Sequence, residues 1–118
     1  MKKVLVLDDD LDILKLVQTI LKINNFDVQV ESEWQRIYTA VESFAPDVIL
    51  LDISLGGADG VEICKKLKQN PETSNISILL FSANIEMAKR VSDCGAQGYL
   101  SKPFTIKELI QAINTSIN

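Results

Sequence analysis

The chain has 118 residues, with 12 Lys and Arg against 16 Asp and Glu, a net charge of −4, 47% apolar residues and no histidine. That length and apolar share suffice for one hydrophobic core and leave no room for a second, and the scattered basic residues supply no cationic stripe for nucleic acid. The missing imidazole excludes serine–histidine triads, zincin helices and a phosphohistidine carried on these residues.

Met1-Lys2-Lys3 opens as an export signal does, but only residues 4–7 are apolar before Asp8, too short a run for a signal. That run predicts a first buried strand instead. After it, Ile13, Leu14, Val17, Ile20 and Leu21 recur at helical spacing until Asn24-Asn25 ends the pattern. Asp10 and Asp12 read as a cap and first-turn acids favoured by the helix dipole. Residues 28–30 lie in Asp27-Val28-Gln29-Val30-Glu31, whose alternation suits an edge strand lying outside the first. Ser32 with Gln35 has the capping-box pattern and predicts a helix over about 33–45. The continuous run 48–51 predicts a strand buried on both faces, and Asp59 with Glu62 starts a helix over about 60–69. A fourth strand is expected at 76–81, then a helix over about 85–94 capped by Asn84 and stopped by Gly95. A short fifth strand falls at 99–100. Thr105 with Glu108 starts the last helix, about 105–117, whose Ile106, Leu109, Ile110, Ile113 and Ile117 form one stripe.

Five strands alternating with five helices predict an α/β fold, a doubly wound parallel sheet covered on both faces. The last stripe closes the chain, so one domain over 1–118 without an output module is expected. No run approaches the roughly 20 apolar residues of a membrane span. Cys64 and Cys94 stand far apart with no C-x-x-C, which reads as two reduced, buried thiols in a cytoplasmic protein.

Ligands of such sheets bind at the carboxyl ends of the strands. Those ends carry Asp8-Asp9, Asp52, Ser82 and Lys102. Carboxylates about 4 Å apart repel by about 4 kcal/mol at an effective dielectric of 20, so the cluster calls for a cation. Oxygen ligands without histidine or cysteine suit Mg²⁺ or Mn²⁺. Such an ion would draw in a phosphoryl group and leave one carboxylate free to attack phosphorus, with Ser82 and Lys102 placed to contact the phosphoryl oxygens.

The segments Val-Leu-Val-Leu-Asp-Asp-Asp from Val4, Leu-Asp-Ile-Ser-Leu-Gly-Gly-Ala-Asp-Gly from Leu51, Phe81-Ser-Ala and Tyr99-Leu-Ser-Lys-Pro-Phe resemble, in order and spacing, the signatures of two-component response regulator receiver domains. The resemblance implies a flavodoxin-like sheet of strand order 2-1-3-4-5, as in the chemotaxis receiver. It implies that Asp52 accepts a phosphoryl group from a phosphohistidine on a sensor histidine kinase or phosphotransfer protein. Asp9 and Asp52 would ligate Mg²⁺ directly, Asp8 through water, and Ser54 through its carbonyl. Ser82 would be the switch hydroxyl and Lys102 the phosphate-contacting ammonium, next to a Lys102-Pro103 bond that is usually cis in the family. Pro103 and Gly60 would be structural residues at the site, and Ser54 and Asn84 would tune hydrolysis. Tyr99 matches the aromatic switch, although a tyrosine half-buried on an edge strand reads the same way. A downstream protein would bind the face of the fourth helix, last strand and last helix. Self-phosphorylation of this kind is single-turnover, so the chain is not expected to be an enzyme.

Several positions depart from the family pattern. Gly56-Gly57 replaces the usual proline-glycine, implying a more mobile loop. Trp34 and Tyr38 stand four apart in the second helix, either packing on the sheet or neighbouring helix or forming an aromatic surface. The last helix lacks the arginines of symmetric DNA-binding dimers, so phosphorylation-driven dimerisation is not expected. Two other classes compete: a receiver-shaped interaction module independent of phosphorylation, and an aspartate-nucleophile phosphatase using the Asp-x-Asp spacing of Asp8 and Asp10. The second lacks a cap domain and late paired aspartates, and leaves Asp52 unused. A flavin site is disfavoured by an acidic first loop.

Overall fold

The computed structural model describes residues 1–83 and 91–117. Five parallel strands form one sheet: β1 (Lys3–Leu7), β2 (Asp27–Glu31), β3 (Val48–Asp52), β4 (Ser77–Ser82) and β5 (Gly98–Ser101). Their spatial order is β2-β1-β3-β4-β5, the order expected above. Helices α1 (Leu11–Ile23), α2 (Ile37–Phe44), α3 (Gly60–Gln69) and α5 (Ile106–Ser116) flank the sheet, with a helical turn α4 (Val91–Cys94) before β5. Asn84 and most of the helix predicted at about 85–94 lie outside the described residues. Among the described residues, no helix is long and apolar enough to cross a membrane.

Strand alternation divides the core into two layers. Val4, Val6, Val48, Leu50, Leu79 and Phe81 face α1 and α5, where Leu14, Val17, Leu21, Leu109 and Ile113 complete one cluster. Leu5, Leu7, Ile49, Leu51, Ile78 and Leu80 face the other way and pack with Ile37, Val41, Val61, Cys64 and Leu67. Because β1 and β3 bury both faces, their sequences are continuous apolar runs. The alternating strand β2 is only partly buried and lies at the sheet edge, next to β1.

Caps fix where most helices begin. The Asp10 side chain accepts from the amides of Asp12 and Ile13, at 3.0 and 3.3 Å, and Asp12 follows in the first turn of α1. Asp59 accepts from Val61, and Thr105 with Glu108 forms a complete capping box. Ser32 and Gln35 do not form the box their spacing suggests. The chain passes instead through a 3₁₀ turn, Trp34–Arg36, and neither it nor α2 has a side-chain cap. Glu31 accepts from the Glu33 amide at 3.0 Å, which turns the backbone before Gln35 can reach back. Trp34 packs against the core while Tyr38 is 44% exposed, so the two do not share one role.

After β3, the chain forms a separate antiparallel ribbon in which Ser54 pairs with Asp59 and Leu55 with Ala58. Gly56-Gly57 is its two-residue turn, and Gly57 has φ +87°, a left-handed conformation natural to glycine. The ribbon delivers Gly60 against β3: a Cβ there would lie 2.1 Å from the Asp52 carbonyl oxygen. Any side chain at Gly60 would push α3 away from Asp52. Gly60→Ala is expected to lower the free energy of unfolding by about 2–4 kcal/mol, read as a shifted urea midpoint. An unchanged midpoint would contradict this packing.

Candidate phosphoacceptor site

Four strand ends converge on one acidic centre. Asp8 follows β1 and is fully buried, Asp9 beside it is exposed, and Asp52 ends β3 with 5% exposure. One carboxylate oxygen from each lies within 4.8 Å of the others. At that separation each charged pair repels by about 3 kcal/mol at an effective dielectric of 20.

A backbone amide holds each carboxylate. Asp10 donates to Asp8 Oδ1 at 2.9 Å, Gly56 to Asp9 Oδ2 at 3.1 Å, and Ser54 to Asp52 Oδ1 at 3.1 Å. These amides come from the start of α1 and from the ribbon after β3. The loops therefore orient the acids. Lys102, just beyond β5, brings its ammonium to 2.8 Å from Asp8 Oδ2 and 3.7 Å from Asp52 Oδ2. Its backbone amide donates to the Ser82 carbonyl at 2.9 Å, which ties the turn to the end of β4. The Lys102-Pro103 peptide is cis.

Burial, and then the facing Asp8 charge, push the Asp52 carboxyl up to about 7, against the opposing pull of Lys102 and the Ser54 amide. A carboxyl so raised is protonated in the folded protein at pH values where it is ionised in the unfolded chain.

The remaining expected residues are distributed around this centre. Ser82 ends β4, one residue beyond Phe81, which pairs in register with Asp52. Ser54 is exposed and touches the centre through its amide. Tyr99 is 50% exposed on β5, beside a groove of about 330 Å³ that also involves Glu108, Gln111 and Ala112. Gly60 abuts the Asp52 backbone. Asn84 lies outside the described residues. Sequence reasoning missed the orienting amides of Asp10 and Gly56, as well as Phe81, whose ring centre lies 4.5 Å from the Lys102 ammonium. Away from the centre, Cys64 and Cys94 are buried, as expected, and form no disulfide, with the Cys64 thiol 3.5 Å from the Cys94 carbonyl.

The sequence and its fold have known counterparts. The family model described as the response regulator receiver domain matches residues 4–114, and the chain belongs to that family. The DNA-binding dual master transcriptional regulator RpaA of Synechocystis is 30% identical over 96% of this chain and 48% of its own length. The DNA-binding response regulator MtrA of Mycobacterium tuberculosis is 30% identical over 98% of this chain and 50% of its own length. The chain thus spans about half the length of these curated relatives. A putative response regulator from Chloroflexus aurantiacus superposes with a TM-score of 0.92 at 25% identity, covering 98% of this chain and 97% of that one. The chemotaxis protein CheY4 of Vibrio cholerae shares the fold, with a TM-score of 0.89 at 24% identity over 98% of both chains.

The raised Asp52 group has a measurable consequence without divalent ions. The unfolded chain ionises Asp52 near 3.8 and the folded protein near 7, so stability falls as pH rises between those values. Asp52→Asn removes the charge and keeps an oxygen for the Ser54 amide. In urea titrations with a chelator, the variant is expected to exceed the wild type by about 1–3 kcal/mol near pH 8, with the gap narrowing as pH falls and closing near pH 4. A gap independent of pH would contradict the raised value.

Proposed function

We propose that this chain is a phosphoacceptor: Asp52 takes a phosphoryl group from a phosphohistidine on a sensor kinase or phosphotransfer protein, and the modified centre alters a partner-binding face. One observation carries the reading. A buried carboxylate of raised pKa lies among two further acids, each oriented by a backbone amide, with the Lys102 ammonium bridging two of them. A helix cap or a structural ion pair requires no such convergence.

The donor set fits a hard divalent cation. Among the described residues, three carboxylates within 4.8 Å of one another outnumber the ammonium of Lys102 beside them, and no softer ligand stands in the cluster. Asp8, Asp9 and Asp52, with the Ser54 carbonyl, would hold Mg²⁺ or Mn²⁺. When bound, the ion supplies positive charge that neutralises phosphoryl oxygens.

The protein's own groups divide the remaining work. The Ser54 amide fixes Asp52 Oδ1, and Lys102 lies on the side of Oδ2. The carboxylate attacks phosphorus as its bond to the donor imidazole breaks, forming an acyl phosphate. Lys102 pairs with the arriving negative charge, and the Ser82 hydroxyl hydrogen-bonds a phosphoryl oxygen. The reaction modifies the chain itself and is single-turnover. Tyr99 on β5 and the adjoining face of α5 transmit the change to a downstream protein. The named DNA-binding relatives are about twice as long, and the basic residues of this chain, of net charge −4, are scattered along its sequence, so we assign any DNA contact of such a regulator to residues beyond this domain.

Intact-mass spectrometry after incubation with acetyl phosphate tests the reading. One phosphoryl adduct is expected with Mg²⁺, none with chelator and none on Asp52→Asn, while Lys102→Met should slow its appearance at least about tenfold. A folded wild type that takes up no phosphoryl group would instead support the phosphorylation-independent interaction module. Steady release of phosphate from a monoester would support the phosphatase.

A further inference from the structure

The position of the Lys102 ammonium has a third support besides Asp8 and Asp52. Its nitrogen lies 4.5 Å from the centre of the Phe81 ring, and Phe81 is fully buried. Phe81 and Asp52 are register partners on adjacent strands, so the ring stands beside the acidic centre. The Lys102 backbone is tied to Ser82, but its long stem leaves the ammonium free to rotate, and the side chain is 20% exposed. The face of an aromatic ring attracts a cation without occupying its N–H donors as a carboxylate does.

We propose that Phe81 is a positioning residue, whose ring holds the Lys102 ammonium over the Asp8–Asp52 pair. The placement follows from the three contacts of the ammonium, with Asp8, Asp52 and the Phe81 ring. Its kinetic consequence rests on the phosphoacceptor reading. Lys102 grips Asp8 more closely than Asp52, and Asp8 is also one of the carboxylates facing the cation site. As the charge on Asp8 is shared, its hold on the ammonium weakens, and the ring keeps the ammonium from swinging into solvent. Leucine would fill much of the same space without this attraction.

Site-specific incorporation of mono-, tri- and pentafluorophenylalanine at position 81 separates the two contributions, because fluorination weakens the ring's negative face while nearly preserving its shape. Thermal stability is measured in the wild-type and Lys102→Met backgrounds, and acetyl-phosphate labelling at saturating Mg²⁺ in the wild-type background. Stability is expected to fall stepwise with fluorination only where Lys102 is present. The labelling rate should fall about threefold to tenfold across the series. The same substitutions at Phe44, which faces Lys3 at 5.6 Å, should leave the rate unchanged. Equal stability trends in the two backgrounds would reduce Phe81 to packing and overturn the proposal, as would a flat rate alongside a Lys102-dependent trend. A Lys102-dependent trend in a protein that takes no phosphoryl group would uphold the placement by Phe81 and remove the phosphoacceptor reading instead.

Discussion

Mutual repulsion among Asp8, Asp9 and Asp52 is the constraint to which the surrounding structure answers. Carboxylate oxygens within 4.8 Å of one another, two of the three groups being almost fully buried, would move apart or take up protons if nothing held them. The fold holds them in several ways. Strands β1 and β3 are adjacent and locked in register by cores on both faces, so Asp8 and Asp52 cannot separate without disturbing the sheet. The amides of Asp10, Ser54 and Gly56 and the Lys102 ammonium meet the charges directly. The cost that remains is visible as the raised pKa of Asp52.

The second layer of support lies in the ribbon after β3. Its Gly56 amide reaches Asp9, its Ser54 amide reaches Asp52, and its end places Gly60 against the Asp52 carbonyl. The turn glycines stand where the family pattern has proline-glycine, which implies a looser loop. The structure closes that stretch as a paired hairpin, with glycine at the position that needs a positive φ. Backbone permissiveness thus serves a defined turn whose donors face the acids.

Much of the architecture was legible because burial leaves a periodic trace. The runs at 4–7 and 48–51 are apolar at every position because both faces of β1 and β3 are covered, and the alternation in β2 marks an edge. Strand ends then located Asp8, Asp9, Asp52, Ser82 and Lys102 by the geometry of open parallel sheets. Two kinds of feature left no such trace. Ser32 and Gln35 satisfy a capping pattern that a competing Glu31 contact and a 3₁₀ turn displace, because spacing alone does not reveal which local hydrogen bond wins. Backbone amides are present at every residue but proline, so nothing in the sequence marks those of Asp10 and Gly56 as special. Phe81 read as another core residue of a buried strand, and only the register of β3 with β4 sets it beside Asp52.

On the proposed function, charge explains why such a centre would suit switching better than static binding. Among the described residues, the three carboxylates, when all are ionised, and the Lys102 ammonium leave a formal charge of −2, which a divalent ion would cancel. On the phosphoacceptor reading, modification replaces one carboxylate charge with a phosphoryl charge of about −1.5 to −2 and carries it outward from the buried end of β3. Lys102 is already committed to Asp8 and Asp52, so it can follow that charge only by giving up part of its hold on Asp8. The remaining demand for donors falls on the rim of the site, where Ser82 ends β4 and its carbonyl holds the Lys102 turn. That turn continues from β5, which carries the half-exposed Tyr99. On that reading, a centre balanced before modification and overdrawn in negative charge afterwards would pull on the segment that leads to the outer face, and the change in electrostatics would become a change in shape.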